Sequence, residues 1–485
     1  MNVAPDSPLN ALTLDADTDA DAGADAEVVV VGGGLAGLTA AIFAARAGAR
    51  VVLLERAATL GGRAATHEQA GFSFNIGPHA LYVDGAASRV LKELGVSYSG
   101  RRPPVSGGLA YAGGQLHALP GGFVSLLTTG FLSLAGKLEI GKALGGLGKI
   151  DVASLRGRTL GEWLSTSFHD PSARQLIEGL LRLTSYGDDP GRACAAAAVR
   201  QLQLGMATGV VYLDGGWATL VAGLRQAAEA AGVRVQASAR VSSLRVGHAG
   251  FEVEIHSMPA SRDGAEELAY LSNNDGKTAR STEGAGGALR AKAVVLALPP
   301  VAAASIGATV AAEPLRAWAN AAIPIKAACL DLGLRRLPNP RRLFALGMDR
   351  PLYFSVHTAS ARLAPEGASL VHVAKYLGPD GGGAGSAKDV EAELEAFCDA
   401  VQPGWRSEVA HRRFLPSILV SGALVAADSP RPESEVPGCP GLFVAGDWVG
   451  GEGMIADTAV ASGRQAGRLA AAAACGVRRV VTAAA

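Results

Sequence analysis

The stretch Glu27–Arg56 decides the fold, and it reads EVVVVGGGLAGLTAAIFAARAGARVVLLER. Val28–Val31 is an unbroken run of β-branched residues, which is typical of a parallel strand buried on both faces. The glycine-rich segment Gly32–Gly37 follows and fits the pattern G-x-G-x-x-G. A helix is predicted over residues 38–47, and Val51–Leu54 predicts the next strand. This order of strand, glycine turn, helix and strand predicts a dinucleotide-binding βαβ unit.

Each part of this unit has a chemical role. The first glycine permits a tight turn, the second lets a pyrophosphate approach the backbone, and the third lets helix and strand pack closely. The helix directs its first N–H groups at the phosphates. An acid after the second strand binds ribose hydroxyls, which favours FAD or NAD over NADP. The predicted nucleotide contacts are Gly32, Gly34, Leu35, Ala36, Gly37, Glu55 and Arg56.

Two further segments extend the pattern beyond the βαβ unit. Residues 57–64 read AATLGGRA, and residues 71–79 read GFSFNIGPH. Together they resemble the superfamily of flavin amine oxidases and phytoene desaturases, although Asn75 stands where Asp is more usual. An arginine beside a glycine pair suits a pyrophosphate, because its guanidinium neutralises phosphate charge. The resemblance implies that these segments contact FAD through Gly62, Arg63, Gly77, Pro78 and His79.

Motifs in the second half of the chain continue the resemblance. Residues 214–220 contain a Gly-Gly turn before a helix, and residues 294–300 read VVLALPP. Residues 441–448 read GLFVAGDW and resemble the closing strand of the FAD domain; residues 457–464 resemble the start of its last helix. The resemblance spans residues 27–475 and implies FAD as the cofactor. It adds to the predicted FAD contacts Val241, Gly446, Asp447, Ile455 and Ala456.

The distribution of these motifs predicts two lobes. An α/β, Rossmann-type FAD-binding domain is expected to be discontinuous, built from residues 26–105, 206–303 and 415–475. An α+β substrate-binding domain is expected from residues 106–205, which read as helices, and residues 304–414. Residues 1–25 carry six aspartates without lysine or arginine and predict a disordered acidic tail. Residues 257–290, rich in glycine and polar residues, predict a surface loop insertion.

Charge and composition limit the partners. Lys+Arg and Asp+Glu are each 44, so the balanced charge gives no reason to expect nucleic acid. The five cysteines are scattered, and a cytoplasmic location with reduced thiols is expected. The apolar stretch 119–147 is interrupted by charges, so it is expected either to cover a pocket or to touch a membrane surface. A second dinucleotide motif after a strand is missing, so the expected electron acceptor is dioxygen or a quinone.

The substrate is predicted to be lipophilic, because the resemblance is nearer to the desaturase-like members. Monoamine-type oxidases place a tyrosine at the position of Ile455, and an aliphatic residue there favours a carotenoid or isoprenoid over an amine. An amine oxidase that produces an imine and hydrogen peroxide, a protoporphyrinogen-oxidase-like enzyme and a non-enzymatic flavin-binding protein remain alternatives. The candidate catalytic residues are Lys326, near the position of a flavin-facing lysine in amine oxidases, and His79. No metal site is expected.

Overall fold

Two large β-sheets organise the protein, whose computed structural model describes residues 24–104, 106–248, 250–257, 286–378 and 385–476. In chain order the strands are β1 (Ala26–Val31), β2 (Val51–Leu54), β3 (Thr66–Gln69), β4 (Phe72–Asn75), β5 (Leu81–Tyr82), β6 (Gly100–Arg101), β7 (Leu109–Ala112), β8 (Gln115–Ala118), β9 (Val210–Leu213), β10 (Arg234–Gln236), β11 (Ala239–Gly247), β12 (Gly250–Ser257), β13 (Gly286–Leu296), β14 (Ile325–Leu334), β15 (Phe344–Gly347), β16 (Leu352–Val356), β17 (Ser369–Leu377), β18 (Val409–Ser421) and β19 (Leu442–Val444).

Helices cover the sheets and form most of the connections between them. In chain order they are α1 (Leu35–Arg46), α2 (Ala86–Leu94), α3 (Phe123–Thr128), α4 (Leu134–Gly146), α5 (Leu160–Ser167), α6 (Pro171–Ser185), α7 (Ala195–Thr208), α8 (Ala218–Ala230), α9 (Pro300–Ile306), α10 (Ala312–Ala321), α11 (Ala387–Val401) and α12 (Ala456–Ala474). Among the described helices none is both long enough and apolar enough to cross a membrane.

The first sheet confirms the predicted Rossmann-type fold. Its strand order is β10-β2-β1-β13-β12-β11, and β19 also pairs with β13. Strands β10, β2, β1, β13 and β19 pair in parallel, while β11 and β12 extend the sheet antiparallel. Helices α1 and α12 pack closely together on one face of this sheet. Glycine is required at 463 and 467, because a Cβ there would lie 2.4 or 2.2 Å from a carbonyl oxygen of α1.

The second sheet has the order β18-β14-β17-β16-β15-β7-β8. Helix α11 packs through Val390, Leu394 and Phe397 against one face, where β14, β16 and β17 contribute aliphatic side chains. Helices α5, α6 and α7 belong to a separate hydrophobic cluster that contacts the opposite face. The sheet therefore separates a closed hydrophobic core from the side of the molecule that faces the first sheet.

Three expectations need correction or comment. The region 106–205 is not purely helical, because β7 and β8 form a hairpin around Gly113 and Gly114, both at positive φ. The boundary expected at residue 415 falls inside β18, which pairs with β14 over its length. Asp25, expected to belong to the disordered tail, instead accepts a hydrogen bond from the Arg290 backbone N–H. The expectations for residues 1–23 and 258–285 lie outside the described residues.

Candidate functional site

A cavity of about 2450 Å³ lies between the two sheets. Ligand pockets usually measure about 300–1000 Å³, so this cavity has room for more than one small ligand. One part of its wall comes from the glycine turn and the strand ends of the first sheet. Another part comes from the helices α3, α4, α6 and α7 and from the strands β14, β16, β17 and β18. The cavity therefore extends from the glycine turn of the first sheet to the helices and strands of the second, and we call this latter part the second compartment.

The glycine turn after β1 has a backbone shape that only glycine allows and that suits a phosphate. Gly32 has φ +107°, and a Cβ there would lie 2.5 Å from the Ala297 carbonyl oxygen. A Cβ at Gly37 would lie 1.8 Å from the Gly32 carbonyl oxygen, so only glycine allows the close packing of α1. Helix α1 has neither a side-chain cap nor an acid in its first turn. Because Leu35 and Ala36 line the cavity, the N–H groups at the start of α1 fit a pyrophosphate.

Glu55 stands at the end of β2 and braces this turn. Its carboxylate accepts hydrogen bonds from the Gly33 N–H at 2.7 Å and from the Ala57 N–H at 2.8 Å. Both contacts hold the acid at the cavity wall, where Arg56 and Val241 also lie. An acid fixed at this place fits the hydroxyl groups of a ribose.

Arg63 and Asp447 are far apart in the sequence and form a bidentate ion pair. The Arg63 Nη1 and Nη2 atoms lie 2.5 and 3.0 Å from the two carboxylate oxygens of Asp447. Arg63 also donates to the Val420 carbonyl oxygen, and Asp447 accepts the Gly422 N–H. Burial would raise the pKa of Asp447, but Arg63 lowers it below its ordinary value, so the acid is charged.

His79 lines the cavity but has no free ring nitrogen. One nitrogen lies 3.0 Å from the Gly77 carbonyl oxygen and the other lies 3.0 Å from the Arg63 carbonyl oxygen. The ring also packs edge-on against Trp217. Burial lowers the pKa of His79, with a smaller opposite effect of the two carbonyls. This geometry fits a residue that positions the Arg63 loop better than one that exchanges a proton with a substrate.

The turn before α12 is strained and tightly held. Ile455 has φ +53°, which is unusual for a β-branched residue and costs about 1–3 kcal/mol. The partly buried Arg431 holds the turn by donating to the Thr458 hydroxyl and to the Gly453 carbonyl oxygen. Arg431 lies in a proline-rich segment without a recognisable motif, so nothing in the sequence marks it as part of the site. Strain held in this way fixes the start of α12 at the cavity wall, where Ile455 and Ala456 lie.

Asp457, in the first turn of α12, is a second residue to which the sequence analysis assigned no role. One carboxylate oxygen accepts the Ala87 N–H at 2.8 Å, and the other is buried without a partner among the described residues. Burial is the main cause that raises the pKa of Asp457 to about 6. The cavity therefore carries an acid that is neutral below about pH 6.

The structure brings most of the predicted site residues to one cavity. Those that line it are Gly32, Gly34, Leu35, Ala36, Glu55, Arg56, Gly62, Arg63, Pro78, His79, Val241, Gly446, Asp447, Ile455 and Ala456. Gly37 and Gly77 shape the backbone beneath it. Lys326 lines a separate small pocket of about 70 Å³ instead, because Ala327 takes the cavity-facing position on β14.

The fold and this cavity define a protein with a Rossmann-type, dinucleotide-binding sheet and a second sheet across the cavity from it. A sequence profile of the family described as flavin containing amine oxidoreductase matches residues 35–325. The chain belongs to this family, and it is an FAD-dependent oxidoreductase.

Individual relatives are more distant. A carotenoid 3,4-desaturase from Haloarcula japonica is 57% identical over 51 residues, which is 10% of this chain and 10% of that protein. The match thus spans about a tenth of this curated relative. An oxidoreductase from Methanosarcina mazei is 19% identical, with 90% and 99% of the two chains covered and a TM-score of 0.67. A putrescine oxidase variant is 17% identical, with 91% and 98% covered and a TM-score of 0.65.

Proposed function

We propose that the protein is a desaturase-like dehydrogenase that oxidises a long, lipophilic substrate of the carotenoid or isoprenoid class. The observation that carries this proposal is the second compartment of the cavity. Its wall is aliphatic and aromatic over several helices and strands: Leu119, Phe123, Leu126, Leu144, Leu180, Leu183, Leu202, Met206, Leu343, Phe344, Val356 and Ile418. The short match to a carotenoid desaturase supports the same substrate class.

The charges of this compartment argue against a cationic substrate. Among the described lining residues 102–210 and 341–374 none is acidic, whereas Arg102 and Arg341 are present. An ammonium group there would face positive charge without an acid to balance it. A hydrocarbon has no such cost and gains free energy from each apolar side chain that it contacts. The wall therefore fits a polyene better than an amine.

FAD, when bound, supplies the two-electron oxidation by taking hydride from a substrate carbon. The residues around the glycine turn, Arg63 and Asp447 would hold it, and dioxygen or a quinone would be the final electron acceptor. The apolar wall would orient the chain of the substrate and exclude water from the reacting carbons. With one such compartment, the reacting carbons of only one end of a polyene would be positioned for oxidation at a time.

An apolar surface patch lies on α3 and α4, the helices that contribute Phe123, Leu126 and Leu144 to the cavity wall. We call it the mouth patch, and it consists of Phe123, Val124 and Leu127 on α3 with Leu134 and Leu138 on α4, which are 53–79% exposed. Lys137 ties the two helices together by donating to the Leu127 carbonyl oxygen. Contiguous exposed apolar side chains commonly mark interaction sites. We include in the proposal a peripheral membrane contact here, since a lipophilic substrate would enter from lipid.

The amine oxidase alternative has one feature in its favour. Tyr186, Tyr212 and Tyr353 place three aromatic rings on the cavity wall. Aromatic faces attract cations, and the family to which the chain belongs is named for amine oxidation. These three rings are therefore the part of the wall that best suits an ammonium group.

Anaerobic reduction of the bound flavin separates the two functions. The purified protein would be mixed, in separate cuvettes, with detergent-dispersed polyenes such as phytoene and with a panel of primary and secondary amines. We expect the absorbance band of oxidised flavin to bleach with a polyene and to persist with every amine. Bleaching by an amine alone would overturn the proposal and establish the alternative.

A further inference from the structure

A row of polar side chains crosses the second sheet behind the cavity wall. Ser355 on β16 pairs in register with His372 on β17. His372 pairs with Asp331 on β14, which in turn pairs with Arg413 on β18. Residues opposite each other on neighbouring strands lie on the same face and contact one another. Four strands thus align these side chains inside a sheet whose other core positions are mostly apolar.

Asp331 is the charged centre of this row. Its carboxylate oxygens lie 2.5 Å from His372 Nδ1 and 2.5 Å from Arg413 Nη2, and Asp331 and His372 are fully buried. Burial would raise the pKa of Asp331, but His372 and Arg413 together lower it to about 2. Cys329 lies close enough to complete a metal-binding set, yet Arg413 already supplies the positive charge that balances the carboxylate.

The other nitrogen of His372 has no partner. Its Nε2 atom is buried and makes no hydrogen bond within the described part of the chain. Since Nδ1 donates to the Asp331 carboxylate, a neutral His372 carries a lone pair on Nε2. Buried polar atoms without partners are rare and ask for an explanation. An aspartate that orients a histidine in this way also stabilises its positive form when the histidine takes a proton.

His357 connects His372 to the cavity. The two imidazole rings lie 4.5 Å apart between centroids, edge to face. Burial and the neighbouring His372 hold the pKa of His357 well below its usual range, so its ring is neutral, with one nitrogen that donates a hydrogen bond and one that accepts. His357 Nε2 lies 3.5 Å from the Tyr353 hydroxyl, a contact that is long but typical of a site without substrate.

Hydroxyl groups complete the path to the cavity wall. The Tyr212 hydroxyl lies 3.4 Å from the Tyr353 hydroxyl and 3.3 Å from Ser355 Oγ. All three side chains line the cavity, and Tyr212 also stacks on the His357 ring at 3.9 Å. Burial raises the pKa of both tyrosines, so they keep their protons. Polar contacts therefore lead from the cavity to His357, and an edge-to-face ring contact without a hydrogen bond joins His357 to the His372–Asp331 pair.

We propose that Tyr353, His357 and His372 form a proton-acceptor chain that receives the substrate proton in the dehydrogenation, with Asp331 as the balancing charge. The inference rests on the proposed function, because a dehydrogenation must release one proton besides the hydride. Two C–H bonds break on neighbouring carbons. One leaves as hydride to FAD, and the electron pair of the other becomes the new π bond. Its proton passes to the Tyr353 oxygen as the hydroxyl proton of Tyr353 moves to His357 and onward to His372.

The test compares two variants with a matched control. Tyr353→Phe removes the hydroxyl at the cavity, and His372→Asn keeps a donor toward Asp331 but has no base at the Nε2 position. Tyr376→Phe is the control, because the Tyr376 hydroxyl is buried in the same sheet without a described partner and lies outside the chain. Flavin content and melting temperature would be measured for each, so that loss of structure is recognised.

The first readout is anaerobic flavin bleaching by whichever compound reduces the wild type, between about pH 6 and 9. General acid–base groups contribute about 10²–10⁴-fold, and we expect this loss in Tyr353→Phe and His372→Asn but not in Tyr376→Phe. Both substitutions leave in place the titratable and charged side chains that face the proton-acceptor chain, which are His79, Cys329, Asp331, Tyr186 and Arg413. Wild-type rates in both variants would overturn the inference.

The second readout is nitrogen NMR of histidine-labelled protein, which needs no substrate. We expect His372 to carry its proton on Nδ1, with Nε2 unprotonated in the oxidised protein. A proton found on Nε2 throughout this pH range would overturn the chain. If amines bleach the flavin and polyenes do not, the proposed lipophilic substrate fails, while the variants still test the chain with the amine.

Discussion

Arg63 and Asp447 lie 384 positions apart in the sequence and pair through two hydrogen bonds, of 2.5 and 3.0 Å, at the wall of the cavity. The pair joins the loop after β2 to the end of β19, and Asp447 is almost completely buried, with 1% of its side chain exposed. Two segments that are both predicted to hold FAD therefore depend on each other for their positions. The predicted contacts of these residues with FAD stay predictions.

Breaking this pair should cost both stability and flavin. Arg63→Met leaves a buried carboxylate without its partner, a situation that typically costs 3–5 kcal/mol. We expect urea denaturation to show a loss of about that size, together with reduced flavin content after purification. Arg63→Lys keeps the charge but cannot make both hydrogen bonds to the carboxylate, so we expect an intermediate loss of stability and of flavin content. Unchanged stability and flavin content in Arg63→Met would contradict this account.

Asp457 should make stability fall as the pH rises. Its pKa is about 6 in the folded protein against an ordinary value of 3.8, so the folded state binds more protons between these values. The folded state is therefore favoured at low pH, and the benefit is lost as the pH rises through about 6. Asp457→Asn should stabilise the protein by about 2–3 kcal/mol above pH 6 and by little near pH 4.

Urea denaturation at pH 4, 5 and 7 checks this expectation. Asparagine still accepts the Ala87 N–H, so Asp457→Ala serves as the control that loses this contact. Parallel pH profiles of the wild type and Asp457→Asn would show that the buried carboxylate does not titrate as expected.

The mouth patch should govern binding to lipid vesicles. Val124, Leu134 and Leu138 are 72–79% exposed, so their replacement by Gln costs little stability in solution. If these side chains enter the bilayer, the affinity of the triple variant for phosphatidylglycerol-containing vesicles, measured by sedimentation, should be at least ~10-fold lower than that of the wild type. Val246→Gln is the control, because Val246 is 71% exposed on β11 and lies outside the mouth patch. Equal vesicle binding by both variants would contradict the proposed membrane contact.

The Rossmann-type fold could be predicted because its signals are local. The β-branched run of β1, the glycine turn and the helix α1 follow each other within a short stretch, and the structure confirms them. The hairpin of β7 and β8 was missed, although Gly113 and Gly114 are a typical two-residue turn, because the surrounding segment is dominated by helical patterns. The local sequence pattern therefore predicts individual helices and strands better than it predicts which strands pair with each other in the second sheet.

Contacts between distant residues could not be predicted from the sequence. Nothing near Arg63 indicates Asp447 as its partner, and nothing near His372 indicates Asp331 or His357. The Arg63–Asp447 pair joins two segments outside the strands, and the His372–Asp331 pair arises from the register of β14 and β17, in which nearly every residue is buried and no apolar alternation marks one face. The chain of polar groups behind the cavity therefore became visible only in the structure.

The two neighbours Lys326 and Ala327 give the last prediction. Successive residues of a strand point to opposite faces, and here Ala327 faces the large cavity while Lys326 lines the separate small pocket. Lys326→Met should therefore change the rate of anaerobic flavin bleaching less than ~2-fold, since the lysine does not reach the reacting carbons. Ala327→Leu should slow bleaching more strongly, because the larger side chain occupies space that the substrate needs. A large loss in Lys326→Met with little change in Ala327→Leu would restore the lysine as the catalytic candidate, and it would favour amine oxidation, in which such a lysine is expected beside the flavin.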